Sequence, residues 1–98
     1  MLELKKQDEM ASLKEPILKI LSKNYEPLTM IEQSFGRYDM AFRTDEAGRP
    51  ILLFLGHKDS NGKIKGDRYA RRLVFDKDGK VIKDHWDNKG KASATNNR

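Results

Sequence analysis

Cysteine is absent from this 98-residue chain. That excludes a disulfide framework and a thiolate metal site, and nothing ties the fold to an oxidising compartment. Long apolar runs are missing too. Met1 to Asn24 alternates leucine with charge and so lacks the core of a signal peptide, and no later stretch reaches membrane-spanning length. A cytoplasmic protein with no membrane partner is the expectation. The seven glycines are spread along the chain and form no G-x-x-x-x-G-K-[ST] phosphate loop. Ser34 stands beside Phe35-Gly36 and Ser60 sits in a turn, so neither is placed as a catalytic nucleophile. No enzyme activity and no cofactor are expected.

What is present is charge. Charged residues make up 36% of the chain against 37% hydrophobic, which leaves enough Leu, Ile, Phe and Val for a thin core in a chain this short. The formal charge of +5 is uneven: Arg37 to Trp86 carries twelve Lys/Arg against eight Asp/Glu, whereas Met1 to Gly36 carries five against six. An anionic partner follows as one expectation and an ordinary solvated surface as the other.

Met10, Leu13, Ile17, Ile20 and Leu21 recur at helical spacing and predict a helix over about residues 4–24, with Pro16 as its complication. Either Ser12 to Glu15 forms a capping box that starts a short helix near Leu13, or a longer helix kinks at the proline. Leu28 to Gln33 reads as an edge or lead-in strand. Three segments then repeat one pattern, Asp45-Glu46-Ala47-Gly48-Arg49, Asp59-Ser60-Asn61-Gly62-Lys63 and Asp76-Lys77-Asp78-Gly79-Lys80. Each fits a hairpin loop of a type I turn followed by glycine at positive φ. The fold class is therefore α+β: an N-terminal helix packed on a four- to five-stranded antiparallel β-meander over about 37–87. Residues 1–88 are expected to form one domain and 89–98 a disordered polar tail.

An uninterrupted ladder from these loops sets Phe42 opposite Leu52, Met40 opposite Phe54, Leu52 opposite Ala70, Val74 opposite Ile82, Ala70 opposite Trp86 and Arg72 opposite Asp84. One face then gathers Tyr38, Met40, Phe42, Leu52, Phe54, Ala70, Val74, Ile82 and Trp86 as core, with Arg68 and Arg72 among them. The other gathers Arg43, Ile51, Leu53, Leu55, His57, Tyr69, Arg71, Leu73, Phe75, Lys83 and His85. Such an apolar and basic face needs a cover: the Leu28 to Gln33 segment, a second copy of the chain, or a partner. Its candidate binding residues are Arg43, Leu53, Tyr69, Arg71, Lys83 and His85.

The first functional reading is a non-catalytic interaction module that uses this face to self-associate or hold a protein partner. The alternative is a nucleic-acid or polyanion binder using Arg43, Arg71, Tyr69, Lys83 and His85, against which stands neutralisation by Asp39 and Asp67. His57 and His85 share the face but are offset on separated strands, so no metal is expected there. Asp76-Lys77-Asp78-Gly79 lacks the further ligands of a calcium loop. In Gly66-Asp67-Arg68-Tyr69 and Val81-Ile82-Lys83-Asp84-His85-Trp86-Asp87-Asn88-Lys89-Gly90-Lys91-Ala92 the chain resembles a group of small uncharacterised bacterial proteins. That resemblance implies a bacterial cytosolic protein and carries no activity.

Overall fold

A short helix starts where proline can be tolerated. In this computed structural model, which describes residues 13–94, helix α1 spans Glu15–Leu21 and has Pro16 in its first turn, where a missing N–H breaks no intrahelical bond. Lys14 is the N-cap and makes no side-chain cap, and the helix begins at Glu15, close to the expected short start about Leu13. Ser12 and the rest of the expected longer helix lie outside the described residues. At the other end Ser22 is the C-cap, and the hydroxyl of Tyr25 donates to the Ile20 carbonyl at 2.7 Å. The helix thus stops short of residue 24.

Five strands follow: β1 Met30–Phe35, β2 Tyr38–Thr44, β3 Pro50–Lys58, β4 Ile64–Phe75 and β5 Val81–Ala94. They form one antiparallel sheet in the order β1-β2-β3-β4-β5, the expected meander. The three Asp-x-x-Gly loops join β2 to β5 and share one construction. Gly48, Gly62 and Gly79 sit at φ of 83°, 83° and 84°. In each loop one Asp oxygen accepts two backbone N–H groups, as Asp45 does from Ala47 and Arg49 at 2.9 Å. The carboxylate thereby locks the loop from inside.

The loops do not, however, pass the register on unchanged. Between β3 and β4 the ladder is regular and Leu52 faces Ala70 as expected. Between β2 and β3 it slips, since Thr44 faces Pro50 but Arg43 faces Leu52, which leaves Ile51 as a bulge. Between β4 and β5 it slips again, since Phe75 faces Val81 but Val74 faces Lys83, which leaves Ile82 extra. Phe42 therefore faces Leu53 instead of Leu52, Met40 faces Leu55 instead of Phe54, Ala70 faces Asp87 instead of Trp86, and Arg72 faces His85 instead of Asp84. A one-residue slip moves side chains to the other face. Relative to β2 and β5, strands β3 and β4 have exchanged faces.

The core sits on the exchanged face. Leu13, Ile17 and Leu21 from the helix segment pack on Met40, Phe42, Leu53 and Tyr69, all buried, with Ile31, Leu55 and Trp86 partly buried around them. Tyr25 meets Phe42 edge to face at 5.0 Å between ring centroids. The cover expected to be β1 or a partner is thus α1. The expected polar tail is corrected as well: β5 runs to Ala94, because Ile64 to Asp67 of β4 need a partner for their second edge and backbone pairing requires no apolar side chains. A further slip near Lys89-Gly90, with Gly90 at φ 96°, lets the long strand follow β4.

Candidate functional site

The corrected register divides the six candidate residues. Leu53 and Tyr69 are core, at 0% and 4% exposure, and Arg71 stands beside them with its side chain 9% exposed. Arg43, Lys83 and His85 remain exposed, on the opposite, outer face of the sheet. His57 and His85, expected on one face, are on different ones. His57 alternates with Leu53 and Leu55 and lies 5.3 Å from the ring of Tyr38. His85 faces Arg72 across the outer side.

Arg71 is fully occupied. Its Nε and Nη2 donate to the two oxygens of Asp84 at 2.8 Å each, and its Nη1 donates to the carbonyls of Pro50 at 3.0 Å and Leu21 at 3.3 Å. Its guanidinium carbon lies 5.6 Å from the centre of the Trp86 ring. One side chain therefore joins the end of α1, the β2–β3 corner and β5, and it has no fork left for a phosphate. The hydrogen bonds and charge of Arg71 hold the Asp84 carboxyl below the usual carboxylate range. Burial, assisted by the charge of Asp67, pushes the Tyr69 hydroxyl up.

On the outer face the slips bring out two arginines that the regular ladder had placed in the core. Arg68 and Arg72 now join Arg43, Lys83 and His85 around Leu52, Phe54 and Ala70. The signal that could have found them was the charge of Arg68. Arg72 had Asp84 opposite it in the regular ladder, but Arg68 had no carboxylate there, and an unpaired arginine is costly in a core. Asp87 on this face lies 2.9 Å from His85 Nε2 and 3.7 Å from Arg72. Asp39 and Asp67, expected to neutralise the basic side chains, are engaged elsewhere. Asp39 accepts the backbone N–H of Lys58 at 2.8 Å, and Asp67 pairs with Lys91 at 3.4 Å from the helix side.

Two other features stand out. A shallow, open hollow of about 260 Å³ lies among Glu32, Gln33, Ser34, Asp39, Met40 and Lys58, with Lys58 paired to Glu32 at 3.1 Å. The β4–β5 hairpin carries Val74, Phe75, Val81 and Ile82 at 38%, 41%, 44% and 63% exposure, and one side of the Phe75 ring is covered by Arg49 at 5.1 Å. No described helix is long and apolar enough to cross a membrane. No family model, curated protein or solved structure matches the chain. Its function has to be argued from this geometry.

Proposed function

We propose that the chain is a small, non-catalytic, cytoplasmic interaction module that self-associates through the β4–β5 hairpin. The observation that carries this reading is the exposure of Phe75 and Val81, which face each other at one end of the sheet, with the bulged Ile82 beside them. Contiguous exposed apolar side chains on a small protein mark a contact surface. The hairpin also stands clear of its neighbour. Pairing between β3 and β4 begins only at Leu52 and Ala70, and Arg71 to Phe75 pair with β5 alone. Pro50, at the corner, has no N–H to extend the ladder.

A second copy suits this surface because its turn is charge-complementary to itself. Asp76, Lys77, Asp78 and Lys80 alternate in sign, so two hairpins meeting about a two-fold axis can oppose unlike charges. This replaces the face of Leu53 and Tyr69, which α1 covers, with a different surface for the same role. Light scattering behind size exclusion tests the reading. The dimer should form as concentration rises, and Ile82→Lys should return it to monomer with an unchanged circular dichroism spectrum. A wild-type chain that stays monomeric to millimolar concentration would remove self-association.

A further inference from the structure

The outer sheet face is a separate surface, and its chemistry points to a separate ligand. We propose that it binds single-stranded nucleic acid, with Arg43, Arg68 and Lys83 taking phosphates and the apolar strip of Leu52 and Phe54 lying under the bases. The case begins with charge. Arg43, Arg68, Arg72, Lys83 and His85 share this face, while Asp67 is on the helix side with Lys91 and Asp39 accepts the backbone N–H of Lys58. Among the described residues Arg43, Arg68 and Lys83 have no carboxylate within ion-pair distance, whereas Asp87 serves Arg72 and His85. The cations of this face, Arg43, Lys58, Arg68, Arg72 and Lys83, outnumber its carboxylates Glu32, Asp39 and Asp87, and a surface with a positive excess is complementary to a polyanion.

Placement completes the argument. Arg43 on β2 faces Leu52 on β3, which faces Ala70 on β4 and then Asp87 on β5. The adjacent row runs Ala41, Phe54, Arg68. With strands about 4.8 Å apart, Arg43 on β2 and Arg68 on β4 lie roughly 10 Å apart across the strands on either side of Leu52 and Phe54, and Lys83 lies further along β5 toward the hairpin. Phosphate-binding cations on either side of an apolar strip are what an unpaired strand needs, since its bases are free to lie on side chains. A duplex hides its bases and offers that strip nothing.

Fluorescence anisotropy with labelled single-stranded and duplex oligonucleotides of equal length tests this directly. The single strand should bind more tightly. Neutralising about three phosphates predicts roughly a twentyfold loss of affinity for a fourfold rise in salt. Arg43→Glu combined with Lys83→Glu should abolish binding with the thermal melt retained. Should that pair of changes unfold the chain, each single exposed change should still weaken binding at least severalfold. Ile82→Ser, on the hairpin and without a change of charge, should bind the single strand as the parent does. No binding at low salt, equal or tighter binding of duplex, or equal displacement by polyglutamate would each overturn the proposal.

Discussion

Arg71 is the residue on which the packing of this small sheet turns. Its guanidinium is almost fully buried, it spans two backbone carbonyls and a carboxylate, and removing it leaves those acceptors unsatisfied. Arg71→Ala should cost about 2–3 kcal/mol in urea unfolding, given the usual penalty for unpaired buried acceptors and the lost packing on Trp86. Arg71→Lys should recover little of that loss, because a single ammonium cannot reproduce the fork. Asp84 adds a pH dependence. Its carboxyl is held below its ordinary value of 3.8, so its contribution is fully present above that value and is lost as pH falls through the lower native value. Acid unfolding of the parent should therefore steepen below about pH 4, and Asp84→Asn should show a flatter profile with lower stability at neutral pH.

Glycine substitutions separate conformational strain from collision at the same scale. Gly48 and Gly79 share nearly the same φ, but a Cβ at Gly48 would lie 2.1 Å from the Tyr25 carbonyl oxygen, and one at Gly79 would meet nothing within 4 Å. Gly79→Ala should cost about 1–2 kcal/mol for its left-handed backbone alone. Gly48→Ala should cost clearly more, because Tyr25 must also release the Gly48 carbonyl that it bonds at 2.8 Å. Differential scanning calorimetry of the two variants makes that comparison.

At the scale of elements, the turns were legible in the sequence and the faces were not. Asp-x-x-Gly-basic repeats announce hairpins because an Asx-locked type I turn needs those residues at those positions. A bulge announces nothing comparable here. Ile51 and Ile82 are strand-forming residues like their neighbours, and β3 runs Ile51-Leu52-Leu53-Phe54-Leu55 without a polar residue to show which set points inward. The regular ladder was right for the hairpin that has no bulge and wrong for the two that do. Arg68, which the regular ladder left in the core without a carboxylate, was the available warning. Deleting Ile82 removes the extra residue and leaves Phe75 opposite Val81, Val74 opposite Lys83 and Arg71 opposite Trp86 in an unbroken ladder, so Trp86 should stay in the core. Intrinsic tryptophan emission should therefore match the parent, and a red shift would contradict the bulge.

For the whole molecule, one sheet presents three surfaces with different chemistry. The helix side is closed by Leu13, Ile17 and Leu21, the outer side is basic, and the β4–β5 hairpin is apolar. Among the strands, Arg43, Lys58, Arg68, Arg72 and Lys83 lie on the side away from α1, so these cations need no place in the core. Both functional proposals depend on this division. If Leu53 and Tyr69 faced outward, the basic residues would lie among a wide apolar surface and Arg71 would be free. Nuclear Overhauser contacts in a methyl- and aromatic-labelled sample test the division most directly. The bulged register predicts contacts from the methyls of Ile17 and Leu21 to Leu53 and the Tyr69 ring, with none to Phe54. Contacts from those helix methyls to Leu52 and Phe54 would contradict it.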